Sequence, residues 1–312
     1  MIKKSKKSKL YIGLKKDRIF YCLLLAFPVL QFLVFYVGVN FNSFLLAFKD
    51  ITLDENLHYH TSYGIQAFKD AFALVGSSEM LHIIKVSFLS YFFKTIISLP
   101  LGLLFSYYIA KKLVGAKFFR VILFLPSILS AIVTVSLFKY FVNDAIPALV
   151  EKITGREDVI SLLSREYRVQ YTVIMFYNLW IGFGVSVLMY ANAMSGISPS
   201  VLDAGKIDGV TGIREFWNIT LPSVFPTVSV FLIAGVASIF TDQLNLYSFY
   251  GSDPSVPFKT FGYYLFFQTN KYVNDMSHYP VLSAFGLIMT VVAVPLTFFV
   301  KWLLEKFGPN EG

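Results

Sequence analysis

Charge is scarce in this chain. Only 15% of its 312 residues are Asp, Glu, Lys or Arg, against 56% hydrophobic, a balance that excludes an ordinary water-soluble domain of this length. Cysteine is scarcer still: Cys22 stands alone inside an apolar run, so neither an internal disulfide nor a cysteine-based zinc site can be built. Four histidines, His58, His60, His82 and His278, fall between apolar runs or at their ends, without the spacing of a metal pair, and read as solvated loop residues. No glycine, four residues, glycine, lysine, serine or threonine run occurs, which closes that route to ATP hydrolysis by this chain. The dyad alternation of a membrane barrel is missing as well.

What is present is a series of long apolar runs. Crossing a hydrocarbon core takes roughly 20 apolar residues at about 1.5 Å each, and six stretches suffice: Ile19 to Val39, Ile84 to Ala110, Phe118 to Val142, Tyr171 to Met194, Ser223 to Asp242 and Val281 to Leu304. Backbone polar groups at that depth must bond within their own segment, so the runs predict helices and the chain an all-α integral membrane protein of about six spans.

The net charge of +8 does not point to nucleic acid, because the lysines crowd ahead of a span. Lys3, Lys4, Lys6, Lys7, Lys9, Lys15, Lys16 and Arg18 precede the first helix, which predicts a cytoplasmic amino terminus. Lys111, Lys112, Lys117 and Arg120, then Lys206 and Arg214, then Lys301 and Lys306 fall on that same side, and six crossings put both ends in the cytoplasm of a multi-pass plasma-membrane protein. A cleaved signal peptide has a basic region too, but the first apolar run is long and no small-residue cleavage site follows, so an uncleaved helix is expected. The resulting plan is a basic arm over 1–18, a first helix and outer segment over 19–80, a core of five spans over 81–304 and a tail over 305–312. Outer segments run from Asn40 to His82, from Asn143 to Gln170 with both signs of charge (Arg156, Glu157 and Asp158 among them), and from Gln243 to Pro280, where Gly251, Pro254 and Pro257 predict an irregular turn before an interfacial helix.

One inner loop, within 195–222, carries a pattern. Ser198 at an N-cap, Pro199 at the first helical position and Gly209 as terminator predict a short helix holding Asp203, Ala204, Gly205 and Asp208. Ile213, Phe216 and Trp217 then recur at helical spacing, predicting a second short helix with one exposed apolar face before Ile219, Leu221 and Pro222. The stretch resembles the cytoplasmic loop of binding-protein-dependent ABC importer permeases: Glu-Ala-Ala, three residues, Gly, nine residues, Ile-x-Leu-Pro. Here Asp203, Ala204 and Gly205 are followed by Gly209, Ile219, Leu221 and Pro222 at the same spacing, with Asp203 in place of the usual glutamate and Gly205 in place of the second alanine. Asp208 and Phe216 fit the sugar-permease version, of the maltose and glycerol-phosphate type.

That resemblance implies a type I importer permease whose loop is a coupling helix seated in a separate ATPase. It implies two such ATPase subunits, which would hold the ATP and magnesium, a second homologous permease and an extracellular solute-binding protein; this chain would bind no cofactor. It also implies a path segment in the fourth helix, where Tyr177, Asn178, Trp180 and Gly182 could offer a sugar an amide, an aromatic plate and open backbone; equally, Asn178 could bond a neighbouring helix while Gly182 and Gly184 allow close packing. Thr241, Asp242, Gln243 and Asn245 occupy a second path position, or are simply solvated at a span end. Lys94 is expected to snorkel outward, and Pro126 to kink the third helix. An ion-gradient carrier would need paired buried charges or inverted repeats, and an intramembrane enzyme a cluster of acids, bases or metal ligands; the sequence displays neither clearly. The solute could also be glycerol phosphate or another polar compound.

Overall fold

The computed structural model describes residues 15–54, 58–155, 159–253 and 256–309, with side chains from Ile19 onward. The first fourteen residues of the basic arm, Arg156, Glu157, Asp158, Pro254 and the end of the tail lie outside the described residues.

In chain order, α1 (Ile19–Leu46) leads to an antiparallel hairpin, β1 (Lys49–Leu53) and β2 (Tyr59–Tyr63), and to α2 (Gln66–Val75). Then follow α3 (Ser78–Ala110), α4 (Ala116–Ile128), α5 (Ala131–Thr154), α6 (Tyr167–Ser195), α7 (Pro199–Ile207), α8 (Ile213–Ala237), α9 (Leu246–Tyr250), α10 (Phe261–Lys271) and α11 (Tyr279–Phe307). Among the described residues α1, α3, α5, α6, α8 and the helix through α11 are long and apolar enough to cross a membrane. Six spans and a helical fold therefore match the sequence reading. The hairpin was not foreseen: its register pairs Lys49 with Tyr63 and Leu53 with Tyr59, and Asp54 closes the turn by accepting the His58 N–H at 2.8 Å.

Two compact units divide the chain. One comprises the residues up to Ala71 with Met276–Leu287; within it the Met276 N–H donates to the Tyr59 hydroxyl at 3.4 Å. The other, Phe72–Asp275 with Ile288–Gly312, holds the core and the site. Lipid is as apolar as leucine, so its helices associate through close packing and interhelical hydrogen bonds rather than through exclusion from water. On α3 and α6 the Ser90 and Tyr171 hydroxyls meet at 2.7 Å, and Ser106 donates to the Val187 carbonyl at 2.9 Å. Tyr177 on α6, fully buried, donates to Thr134 on α5 at 3.0 Å.

The third crossing is not the single kinked helix expected over Phe118 to Val142. The backbone is extended at Leu129 and Ser130, which ends α4 and starts α5. The helix long enough to cross is α5, which runs on to Thr154 and takes in the residues from Asn143 read as outer segment. Leu123 of α4 lies against Gly184, while Thr134 of α5 reaches Tyr177, so the two pieces pass the same helix α6 in succession. Pro126 contributes to the interruption by lacking an N–H to bond back into α4. The predicted second short helix is likewise corrected: Ile213 begins α8 itself, which runs through a π turn at Phe216–Thr220 where the Leu221 N–H bonds the Phe216 carbonyl. That five-residue step precedes Pro222, which could not have supplied the ordinary next donor.

Candidate functional site

Two parts of the second unit bring the predicted residues together: an elbow formed by α7 and the start of α8, and a cavity between α3, α6 and α8.

The elbow is defined by its cap. The Gly209 N–H bonds the Lys206 carbonyl at 3.1 Å and the Val210 N–H the Gly205 carbonyl at 2.8 Å, the two bonds of a Schellman termination, and Gly209 takes φ +75° as that motif requires. Pro199 stands in the first helical turn as expected. Ser198 does not cap: its hydroxyl pairs with that of Ser200 at 2.7 Å instead of with a backbone N–H. Asp203 is exposed and accepts from Lys206 at 2.8 Å, a bond that, with the carboxylate's charge, holds the Lys206 ammonium above its ordinary pKa.

The apolar stripe expected on this elbow divides. Phe216 is buried with Leu103, Tyr190, Met194, Val224 and Val228, and Leu221 packs against that cluster, whereas Ile213 and Trp217 face outward. Gly205 is buried under Ile219, whose Cδ1 occupies the space a Cβ would take. Ala204, Asp208 and Gly209 remain exposed, and Pro222 is half-buried. Sequence reasoning missed what holds the elbow to α3. The Tyr107 hydroxyl donates to the Gly212 carbonyl at 2.9 Å, its ring meets Phe216 edge-on at 5.3 Å, and Lys111 pairs with Glu215, which is 4% exposed. An acidic residue at the head of an apolar span was the available signal.

The cavity, about 260 Å³, is lined from α3 by Tyr91, Lys94, Thr95, Ser98 and Leu99, from α6 by Asn178, Leu179, Gly182, Ser186 and Tyr190, and from α8 and its end by Phe231, Leu232, Gly235 and Ser238. Hydroxyls, an amide and one ammonium in an otherwise apolar wall suit a polyhydroxylated solute. Asn178 and Gly182, one helical turn apart, share this wall, but Trp180 cannot: two residues on, it points to the other side of α6. It stacks with Phe138 at 6.3 Å and lines a separate apolar groove of about 490 Å³ with Leu125, Leu137 and Phe176. Tyr177 belongs to the core. The packing role considered for Gly184 is real, since a Cβ there would overlap the Leu123 carbonyl, while a Cβ on Gly182 would meet nothing within 4 Å.

At one end of the cavity a turn is held by the residues of the second predicted segment. Leu244 and Asn245 both take left-handed backbone conformations, φ 50° and 54°, which cost a non-glycine residue about 1 kcal/mol or more. Asn178 compensates by donating to the Leu244 carbonyl at 2.9 Å and accepting from Asn245 at 2.8 Å. Asp242 accepts the Leu244 N–H at 2.9 Å and, with its other oxygen, the Lys94 ammonium at 2.6 Å. Lys94 thus does not snorkel; it forms an ion pair beside the cavity, a pairing the sequence had not displayed. Thr241 is exposed and bonds the Ser238 carbonyl at 3.2 Å; Gln243 is half-buried, its carbonyl accepting from Leu246 at 2.9 Å.

A helical membrane protein with a capped elbow packed beneath a polar intramembrane cavity has the build of a transporter permease. Residues 98–310 match the family described as binding-protein-dependent transport system inner membrane component, and the chain belongs to that family. It is 23% identical over 207 residues, 66% of its length and 70% of the relative's, to the multiple sugar-binding transport system permease protein MsmF of Streptococcus mutans. It is 26% identical to protein LplB of Bacillus subtilis over 306 residues, 96% of this chain and 92% of that one. Its fold is that of a chain in the crystal structure of a bacterial alginate ABC transporter in complex with an alginate pentasaccharide-bound periplasmic protein, with TM-score 0.74, 19% identity and coverage of 94% and 96%.

Proposed function

We propose that this permease moves a sugar or oligosaccharide into a bacterial cell, with α7 as the helix on which a separate ATPase acts. The observation that carries the reading is the elbow: a proline-started, glycine-terminated helix with an exposed Asp203 and Ala204, packed through Phe216 onto the helices that line a hydroxyl-rich cavity. Two ATPase subunits, holding ATP and magnesium, close on nucleotide and push two such elbows. The paired permeases rock so that the space between them changes sides, and this cavity is one half of that space. The similarity to MsmF supports a sugar as solute, and the solved alginate transporter, held with its periplasmic protein, supports delivery by an external binding protein. Both termini lie in the cytoplasm, following the lysine placement.

The test is affinity purification of the tagged chain from its native membrane, followed by uptake of labelled oligosaccharides in wild-type and deletion strains. Recovery of an ATPase and a second permease with loss of saccharide uptake on deletion is the expected outcome. Purification without an ATPase, or uptake that survives ATP depletion and collapses with an ionophore, contradicts the reading.

A further inference from the structure

Glu215 is the one charged side chain among the buried core residues described, 4% exposed, and it is not among the residues that gave the loop its pattern. A buried carboxylate is costly unless paired. Its ion-pair partner is Lys111, the residue that ends α3, whose ammonium also lies 5.6 Å from the Tyr107 ring centroid. Tyr107, one turn earlier on α3, bonds the Gly212 carbonyl. Three residues of the elbow, Gly212, Glu215 and Phe216, are therefore fixed to the final turn of α3 by a hydrogen bond, an ion pair and an edge-on ring contact. The same α3 supplies Leu99, Ser98, Thr95, Lys94 and Tyr91 to the cavity. Leu99 stands twelve residues before Lys111, about 18 Å along a helix axis.

The direction of force follows from this arrangement. α7 is joined to the rest of the elbow through the Gly209 turn and the Gly205 contact with Ile219, so its displacement reaches Gly212, Glu215 and Phe216 first. The Glu215 side chain is 5% exposed and that of Lys111 31%, so water screens this pair less than one on the open surface, and separating it leaves the carboxylate buried without a counter-charge.

We infer that Glu215 is a positioning residue: its ion pair with Lys111 is the strut that carries displacement of the elbow into α3 and so to the cavity wall. This rests on the reading of α7 as the ATPase-driven helix. The pair does not touch solute; it acts through α3.

The experiment uses the complete transporter purified from native membranes and placed in nanodiscs, with Cys22→Ser and Ser98→Cys so that this chain carries one thiol, in the cavity, whose modification is read by mass spectrometry of this chain. The labelling rate by a hydrophilic maleimide is measured without nucleotide and with magnesium ATP and vanadate, alongside ATPase activity and subunit stoichiometry. The expected result is a nucleotide-dependent change of about fivefold or more in the reference transporter. Glu215→Gln and Lys111→Gln each remove that change while the ATPase stays bound and active. The double variant is no worse than either single one, as befits two residues acting as a unit, and Lys111→Arg retains the response. The strut is refuted by a Glu215→Gln transporter that keeps the full nucleotide-dependent change, or by one that loses ATPase binding and labelling change together, which would make Glu215 a folding residue only. A reference transporter without bound ATPase, or without any nucleotide-dependent change, overturns the importer reading itself, and the strut with it.

Discussion

Lys94 of α3 and Asp242 beyond α8 form an ion pair at 2.6 Å beside the polar cavity, while the second Asp242 oxygen accepts the Leu244 N–H. Each side chain is about one-third exposed, 32% and 36%, so water screens the pair in part and its worth lies below that of a fully buried one.

Removing one partner leaves a charge in a membrane cavity, and removing both does not. Lys94→Met and Asp242→Asn are each expected to lower stability by about 1–2 kcal/mol, with the Lys94→Met/Asp242→Asn double variant less affected than the sum. Thermal unfolding of the purified permease in detergent, analysed as a double-mutant cycle, checks this. Strict additivity would show that the two charges do not interact.

Gly184 and Gly182 separate packing from lining. Gly184→Ala pushes a methyl into the Leu123 backbone carbonyl, which cannot yield cheaply, and is expected to cost about 1–3 kcal/mol. Gly182→Ala meets no neighbour within 4 Å, so stability is unchanged while the cavity loses space and the KM for saccharide uptake rises. Equal loss of stability in both variants would mean that Gly182 is also a packing residue.

Trp180 and Asn178 should part company as well. Trp180→Ala truncates a ring in the apolar groove and is expected to leave uptake KM within about twofold of the native value. Asn178→Ala strands the Leu244 carbonyl and releases the left-handed turn, a loss of about 1–3 kcal/mol. Uptake kinetics together with unfolding temperatures decide it; a large KM increase for Trp180→Ala alone would return the tryptophan to the solute path.

Gly205 stands where the resembling loops have alanine, and the structure supplies a reason in Ile219. Its Cδ1, the free end of a side chain, can move aside for one methyl but not for a branched group. Gly205→Ala should therefore retain ATPase co-purification, and Gly205→Val should reduce it about tenfold or more through displacement of α7. Retention of full binding by Gly205→Val would show that this contact does not set the elbow.

The sequence alone determined the number of spans, the placement of the short helix from Pro199 and its stop at Gly209. Those features depend on local chemistry: apolar runs long enough for a bilayer, a ring that fixes φ, and a residue free to adopt positive φ. It missed the hairpin at Lys49–Leu53 and Tyr59–Tyr63, because the alternation of Ile51 and Leu53 in a five-residue β1 is too short to read and β2 is exposed throughout. The interruption at Ser130 and the inward turn of Phe216 were also outside its reach. Only tertiary structure decided that Trp180 leaves the cavity, that Asn178 and Asp242 hold a turn, and that Lys94 and Glu215 find partners 148 and 104 positions distant along the chain. The physical reason is that inside a membrane every run looks equally apolar. Which face of a helix meets another, and where an expensive charge is neutralised, is settled by neighbours that the chain brings together only once it has folded.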